Sequence, residues 1–204
     1  EKNLFLVSNY ISKKIDNIYI CTSSKKYKKK FNFNIKFLTP KKSLSENINI
    51  RLKYIYCLFT LLLFLMKNKN TIVFCFQANI YCVALCKLLN IKIIVRFNTS
   101  PSGWEHNFLK KLIYRAIISS ADELITNSRE FKNQMNKNFN LNCKYIYNPL
   151  NKSEILKKSK KKINLSFFKK KKYLKIINVS RFTEKKNQIT LLKSVEILKK
   201  KNTI

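Results

Sequence analysis

Arg181 and Lys186 are the residues whose type and spacing most directly suggest chemistry. They follow an apolar run, Ile176, Ile177 and Val179, that stops at Ser180, and they precede a helical pattern beginning at about Asn187. In an open α/β sheet, ligands bind beyond the carboxyl ends of the strands, where a helix N-terminus presents free N–H groups to an anion. Arginine brings a planar fork to a phosphate and lysine a mobile point charge. The pair reads as a cradle for a phosphate-bearing ligand, against the plainer alternative of two solvated cations in a lysine-rich chain.

Other chemistry-bearing residues are sparse. The six cysteines (21, 57, 75, 82, 86 and 143) form no Cys-x-x-Cys pair and mostly lie in apolar runs, as small buried hydrophobes in a reducing compartment do. His106 is the only histidine, read as a structural or exposed residue near a helix start. No ligand set for a metal is present at a recognisable spacing, so no metal is expected.

Strand and helix signals alternate along the chain. Short apolar strands are expected at 17–21 and 34–38, a helix at about 46–67, a strand at 71–76, a helix at 78–89 and a strand at 91–97. The central strands are apolar on both faces, as parallel strands covered by helices on both sides must be. The fold class that follows is α/β, a Rossmann-like doubly wound parallel sheet. After Gly103 comes an amphipathic helix with Phe108, Leu112 and Ala116 on one row and Leu109, Ile113 and Ile117 on the next. A strand within 121–128 ends at Asn127-Ser128, where Ser128 can cap a helix holding Phe131 and Met135. The strand at 144–150 closes on the turn signal Asn148-Pro149.

The domain organisation expected is a first domain over 1–150, a lysine-rich linker over 151–172, and the opening of a second domain over 173–204. That opening is one strand (173–179) and one helix (187–200) with Leu191, Val195 and Leu198 on a single face. A lone strand and helix cannot bury their own apolar surfaces, so the chain reads as a piece of something longer.

A net charge of +33 over 204 residues points towards an anionic partner. Lysine, however, far outnumbers arginine and comes with heavy asparagine, isoleucine and phenylalanine usage, the bias of an AT-rich coding sequence. The longest apolar run, 54–66, is shorter than the ~20 residues of a spanning helix and reads as a core helix or a membrane-dipping one.

The stretch "NVSRFTEKKNQITLLKSVEIL" resembles the segment that opens the C-terminal domain of glycosyltransferases of the group 1, family 4 type. That family's pattern is a strand, Gly-Arg-Leu, a few residues, a lysine and a helix. Arg181, Phe182 and Lys186 match its Arg, Leu and Lys. Upstream, "ADELITNSREFKNQM" is similar to the family's Ala-Asp, strand, Asn-Ser and helix block, and "YIYNPLN" to the turn that ends its first domain.

The resemblance implies a GT-B fold of two facing Rossmann-like halves and a retaining, metal-independent transfer from a nucleotide-sugar to a glycan or lipid-linked acceptor, in cell-surface polysaccharide or glycolipid synthesis. Arg181 and Lys186 would hold the donor diphosphate and offset the charge that builds on the leaving group. Asn98, Thr99 and Ser100 would be acceptor-side polar groups, with Asn98 standing where many members carry a histidine. Asparagine can bind sugar hydroxyls but cannot act as a general base, so no residue is assigned a catalytic role.

Two further departures are Ser180 in place of the usual glycine and the lack of a glycine-rich loop after a first strand, since 1–14 already reads as the first helix. The family's donor-binding glutamate pair would lie beyond residue 204. Truncation at both ends, and an inactive piece, are therefore expected. No cofactor is implied beyond the donor itself. The implied setting is cytoplasmic, with an anionic membrane surface at the inner face of the cell membrane as a further partner. The competing reading is a non-catalytic basic α/β domain that sits on membranes or binds nucleic acid. Nucleic acid is disfavoured, because the aromatic residues fall at core-like spacing and lysine rather than arginine dominates.

Overall fold

The computed structural model describes residues 2–24, 28–40, 49–77, 79–99, 107–161 and 175–200. The chain divides into two units, Glu1–Asn151 and Lys152–Ile204. The first runs α1 (Lys2–Ile11), β1 (Tyr19–Cys21), β2 (Lys36–Leu38), α2 (Ile50–Lys67), β3 (Ile72–Cys75), α3 (Asn79–Leu88) and β4 (Lys92–Arg96). It continues through α4 (Phe108–Ser119), β5 (Glu123–Thr126), α5 (Arg129–Phe139) and β6 (Lys144–Tyr145). The second unit has α6 (Lys152–Ser159), a single 3-10 turn (Glu184–Lys186) and α7 (Gln188–Lys200) among its described residues.

All strand pairs are parallel, so the unit is α/β with parallel sheets. Among the described residues the strands form two sheets rather than one: β1 pairs with β2, and β3-β4-β5-β6 follow in chain order. The reversal of strand order that defines a doubly wound sheet is therefore absent from the ladders among the described residues. What links the two sheets is α2. Phe64 stacks on Tyr19 of β1 at 4.8 Å between ring centroids, and the Cys57 carbonyl accepts from the Cys21 thiol at 3.4 Å. Leu58, Leu61 and Leu65 of the same helix pack into the core above the four-stranded sheet.

That core fills one face of β4. Ile93, Val95 and the following Phe97 are fully buried there, against Val83 and Cys86 of α3, Ile118 of α4 and Phe131, Met135 and Phe139 of α5. Alternation along the strand sends Ile94 and Arg96 to the opposite face.

Helix starts follow the expected chemistry: the Ser128 hydroxyl accepts from Phe131 N at 3.1 Å, and Asn107 caps α4 through Lys110 N at 3.0 Å. With a single glycine in the chain, asparagine takes over the left-handed positions. Asn17, Asn90, Asn140 and Asn187 all have positive φ, and Asn140 ends α5 in that conformation.

Several expectations need correction. The buried row of α4 is Tyr114, Ile117 and Ile118, while Phe108, Leu109, Leu112 and Ile113 remain exposed. The helix is apolar around most of its surface, and the sheet covers only one side. On α2 only Leu65 is fully buried, so it is a half-covered helix rather than a core helix. Of the strand expected at 173–179, the described residues 175–179 are in no strand: no described strand pairs with them, and Ile177 and Val179 are exposed. On α7, Leu191 and Val195 are half-buried but Leu198 is exposed. The stretch read as a linker opens with α6. The expected helix start at His106, together with Gly103, lies outside the described residues.

At the amino end of the larger sheet, Asp122 joins three elements. It accepts from Ile93 N of β4 at 2.7 Å and from Lys87 Nζ of α3 at 2.8 Å. Lys87, then the Ile93 amide, hold its carboxyl below the usual carboxylate range. The stabilisation is present above the unfolded-state pKa of about 3.9 and is lost as pH falls through the lower folded value. Asp122→Ala should cost about 1 kcal/mol at pH 7 after allowance for the partial exposure of the pair. Urea unfolding should show this gap closing as the pH is lowered to about 2; a gap independent of pH would mean that the carboxylate contributes nothing by its charge.

Candidate functional site: a polar rim at the carboxyl ends of the strands

A parallel sheet brings all its carboxyl ends to one edge, and here that edge is built from asparagines around one arginine. Asn98, just past β4, is exposed, and its Nδ2 donates to Phe76 O beyond β3 at 3.0 Å. Its own carbonyl accepts from Asn127 Nδ2, beyond β5, at 3.4 Å. Asn98 thus ties three consecutive strand ends together. Thr99 is exposed beside it, and Ser100 lies outside the described residues.

Arg96, the last residue of β4, is the member of this rim that sequence reasoning missed. It is only 2% exposed. Its Nη2 donates to Ile146 O at 3.1 Å and to Asn148 Oδ1 at 3.0 Å, and Asn148 Oδ1 also accepts from Asn3 Nδ2 of α1 at 2.8 Å. Nε is buried with no hydrogen-bond partner, and the side chain has no ion pair among the described residues. Burial pulls its pKa below the ordinary arginine value. A signal was available in the sequence: an arginine closing the apolar run "IKIIV" must either break the strand or be buried with it.

In the second unit, Arg181 and Lys186 are exposed on the loop that leads into α7, and neither has an ion-pair partner among the described residues. The loop is held by side chains. Gln188 Nε2 donates to Arg181 O and to Ser180 Oγ, both at 2.7 Å, and Ser180 Oγ donates to Asn178 Oδ1 at 2.7 Å. Lys186 N closes the 3-10 turn on Thr183 O at 2.9 Å. Lys186 thus stands two residues ahead of α7 and Arg181 is tied through its carbonyl to the first residue of that helix, while Arg96 and the Asn98 rim belong to the other unit.

The thiols are free, and Cys75, Cys82, Cys86 and Cys143 are buried. Among the described residues, no group of three or more His, Cys, Asp or Glu side chains is placed to hold a metal ion. Cys21 and Cys57 face each other between β1 and α2. Their shared hydrogen bond, followed by burial, pushes the Cys21 thiol up, and the same bond lowers Cys57. Burial pushes Cys86 up to about 12 and Cys143 up to about 11.

A scan against known family models and a search of the curated proteins both return no match for this chain.

The thiol environments order their reactivity, since the thiolate is the nucleophile. Under limiting iodoacetamide at pH 8, Cys57 should be alkylated first, with Cys82, Cys86 and Cys143 protected until the chain unfolds. Peptide mass spectrometry reads the order, and early labelling of Cys86 would contradict the buried packing of α3.

Proposed function

We propose that this chain is part of a retaining glycosyltransferase with a GT-B fold. In this reading the second unit grips the diphosphate of a nucleotide-sugar at Arg181 and Lys186. The first unit offers the rim around Asn98 and Thr99 to a glycan or lipid-linked acceptor. Three ordered sequence blocks and the parallel α/β architecture support it. The observation that carries it is the loop ahead of α7, where two cations with no ion-pair partner among the described residues stand on a backbone clipped by Ser180 and Gln188. An anion there would meet the Arg181 fork, the Lys186 ammonium and the first N–H groups of α7. Charge growing on the departing diphosphate would be met by groups already in place, so the chemistry is electrostatic and calls on no nucleophile from these residues.

Titration calorimetry with uridine and guanosine diphosphates tests the donor site. Arg181→Ala should weaken binding by about 1.5 kcal/mol or more, roughly tenfold, and Lys186→Ala by less, because its charge is more mobile. Equal affinity in wild type and Arg181→Ala would remove these cations from the donor site.

A membrane-facing role for the same protein is supported by α2. Leu52, Tyr56, Phe59, Leu63 and Met66 are exposed at spacings of four, three, four and three residues, one apolar stripe along the helix. No helix among the described residues is long and apolar enough to cross a membrane. In this reading the stripe lies on an anionic lipid surface, where lysines add about 1 kcal/mol each. Sedimentation with phosphatidylserine vesicles should show binding that fades above about 0.15 M salt, where the Debye length is ~8 Å. Phe59→Ser with Leu63→Ser should reduce it severalfold. Binding unaffected by the double substitution would place the contact elsewhere.

A further inference from the structure

Among the side chains of the strand ends, Arg96 is the one whose environment is incomplete. An arginine has five N–H donors, and here both hydrogen bonds leave from Nη2, to Ile146 O and Asn148 Oδ1. Nε is buried and unpartnered. A guanidinium removed from water without a counter-charge is costly, and buried charges are ordinarily paired. Among the described residues, the carboxylates of the same sheet do not serve it. In the β4–β5 ladder Arg96 stands opposite Ile125, while Asp122 and Glu123 lie at the far end of β5. There they are held by Lys87 and Lys144 at 2.8 and 2.6 Å.

The guanidinium is not sealed deep in the molecule. Its partners Ile146 and Asn148 lie on an exposed loop, so it sits one residue layer beneath the surface. It also sits at the carboxyl edge of a parallel sheet, the edge where α/β proteins take their ligands.

We infer that Arg96, with Asn148 beside it, is a binding site for an oxyanion, a phosphate or carboxylate group carried by the molecule that enters at the carboxyl ends of β4, β5 and β6. The oxyanion supplies the counter-charge that no described residue provides and accepts from guanidinium donors other than those of Nη2. Asn148 contributes by orientation, since its Oδ1 is fixed from the other side by Asn3. The inference goes beyond the transfer reaction proposed above and does not depend on it, because it is read by binding rather than by turnover. A chain that transfers no sugar can carry this site, and a transferase can lack it.

Thermal unfolding of the 204-residue chain tests the site, with sodium phosphate and sodium glucuronate as two arms, each compared with sodium chloride at equal ionic strength. At least one oxyanion, at about ten times its Kd, should raise the midpoint by about 3–5 °C over chloride, and the arm that does so identifies the group. Arg96→Met, which keeps the volume and every surface lysine, should abolish that rise.

Asn148→Asp guards against a methionine variant that fails to fold. It places a carboxylate against Nη2, and should raise the midpoint without added anion while removing most of the response to the oxyanion. Wild type responding to neither arm more than to chloride would overturn the inference. So would an undiminished response in Arg96→Met or Asn148→Asp, which would assign the effect to other cations of the chain, Arg181 and Lys186 among them.

Discussion

The constraint on which the first unit depends is that β3, β4, β5 and β6 all run in one direction. A parallel strand must be covered on both faces and returned by a crossover, which explains the unbroken apolar runs and the helices between them. The same constraint gathers every carboxyl end at one edge. The carbonyls leaving the sheet there need donors, and this chain provides them from side chains: Asn98 for Phe76, Asn127 for Asn98 and Arg96 for Ile146. The polar rim is thus a consequence of the ladder before it is anything functional. Its members serve backbone carbonyls, and Arg96 is the charged one, with more donors than those carbonyls use.

Charge is divided between the two ends of the same sheet. Asp122 and Glu123 stand at the amino edge, and lysines on α3 and β6 neutralise them. Arg96 stands at the carboxyl edge, where its partners among the described residues are neutral oxygens. A chain with 43 basic and 10 acidic residues could have paired its few carboxylates anywhere. Spending two of them on the amino edge leaves the other edge receptive to anions, in a manner that does not depend on the total charge. This separates Arg96 from the surface lysines, whose charges are hydrated and interchangeable.

Much of this architecture was legible in the sequence. The strands at β3 and β4, the helix with Cys82 and Cys86 on its buried face, and the Ser128 cap with Phe131 and Met135 inside all follow from period and capping chemistry. What periodicity could not show was which side of a nearly all-apolar helix is covered. On α4 the rows starting at Phe108 and Leu109 were as apolar as the one that packs, and only tertiary contact chooses Tyr114 and Ile118. The expected strand at 173–179 is absent over its described part, 175–179, for a related reason: apolar content is a local property, and a ladder needs a neighbour. Arg96 was passed over because a cation among isoleucines looks like a strand end, and its burial is set by Ile146 and Asn148, some fifty residues on.

The scarcity of glycine bears on the loop ahead of α7. Where the resembling family places a glycine, this chain has Ser180, and the described residues with positive φ are Asn17, Asn90, Asn140 and Asn187, so position 180 does not need glycine's conformational freedom. The left-handed residue of the loop is Asn187, directly before α7, where it sets the approach of the backbone to the helix and accepts from Thr190 through both its carbonyl and its side chain. Ser180 then does what glycine could not: its hydroxyl links Asn178 to Gln188, and Gln188 holds the Arg181 carbonyl. A glycine at 180 would let a ligand come nearer the backbone but would remove this clip. In this chain the Arg181 backbone is therefore held by the Gln188 side chain, itself bonded to the Ser180 hydroxyl, and a diphosphate arriving there would be met by the arginine fork more than by the backbone amide of residue 180.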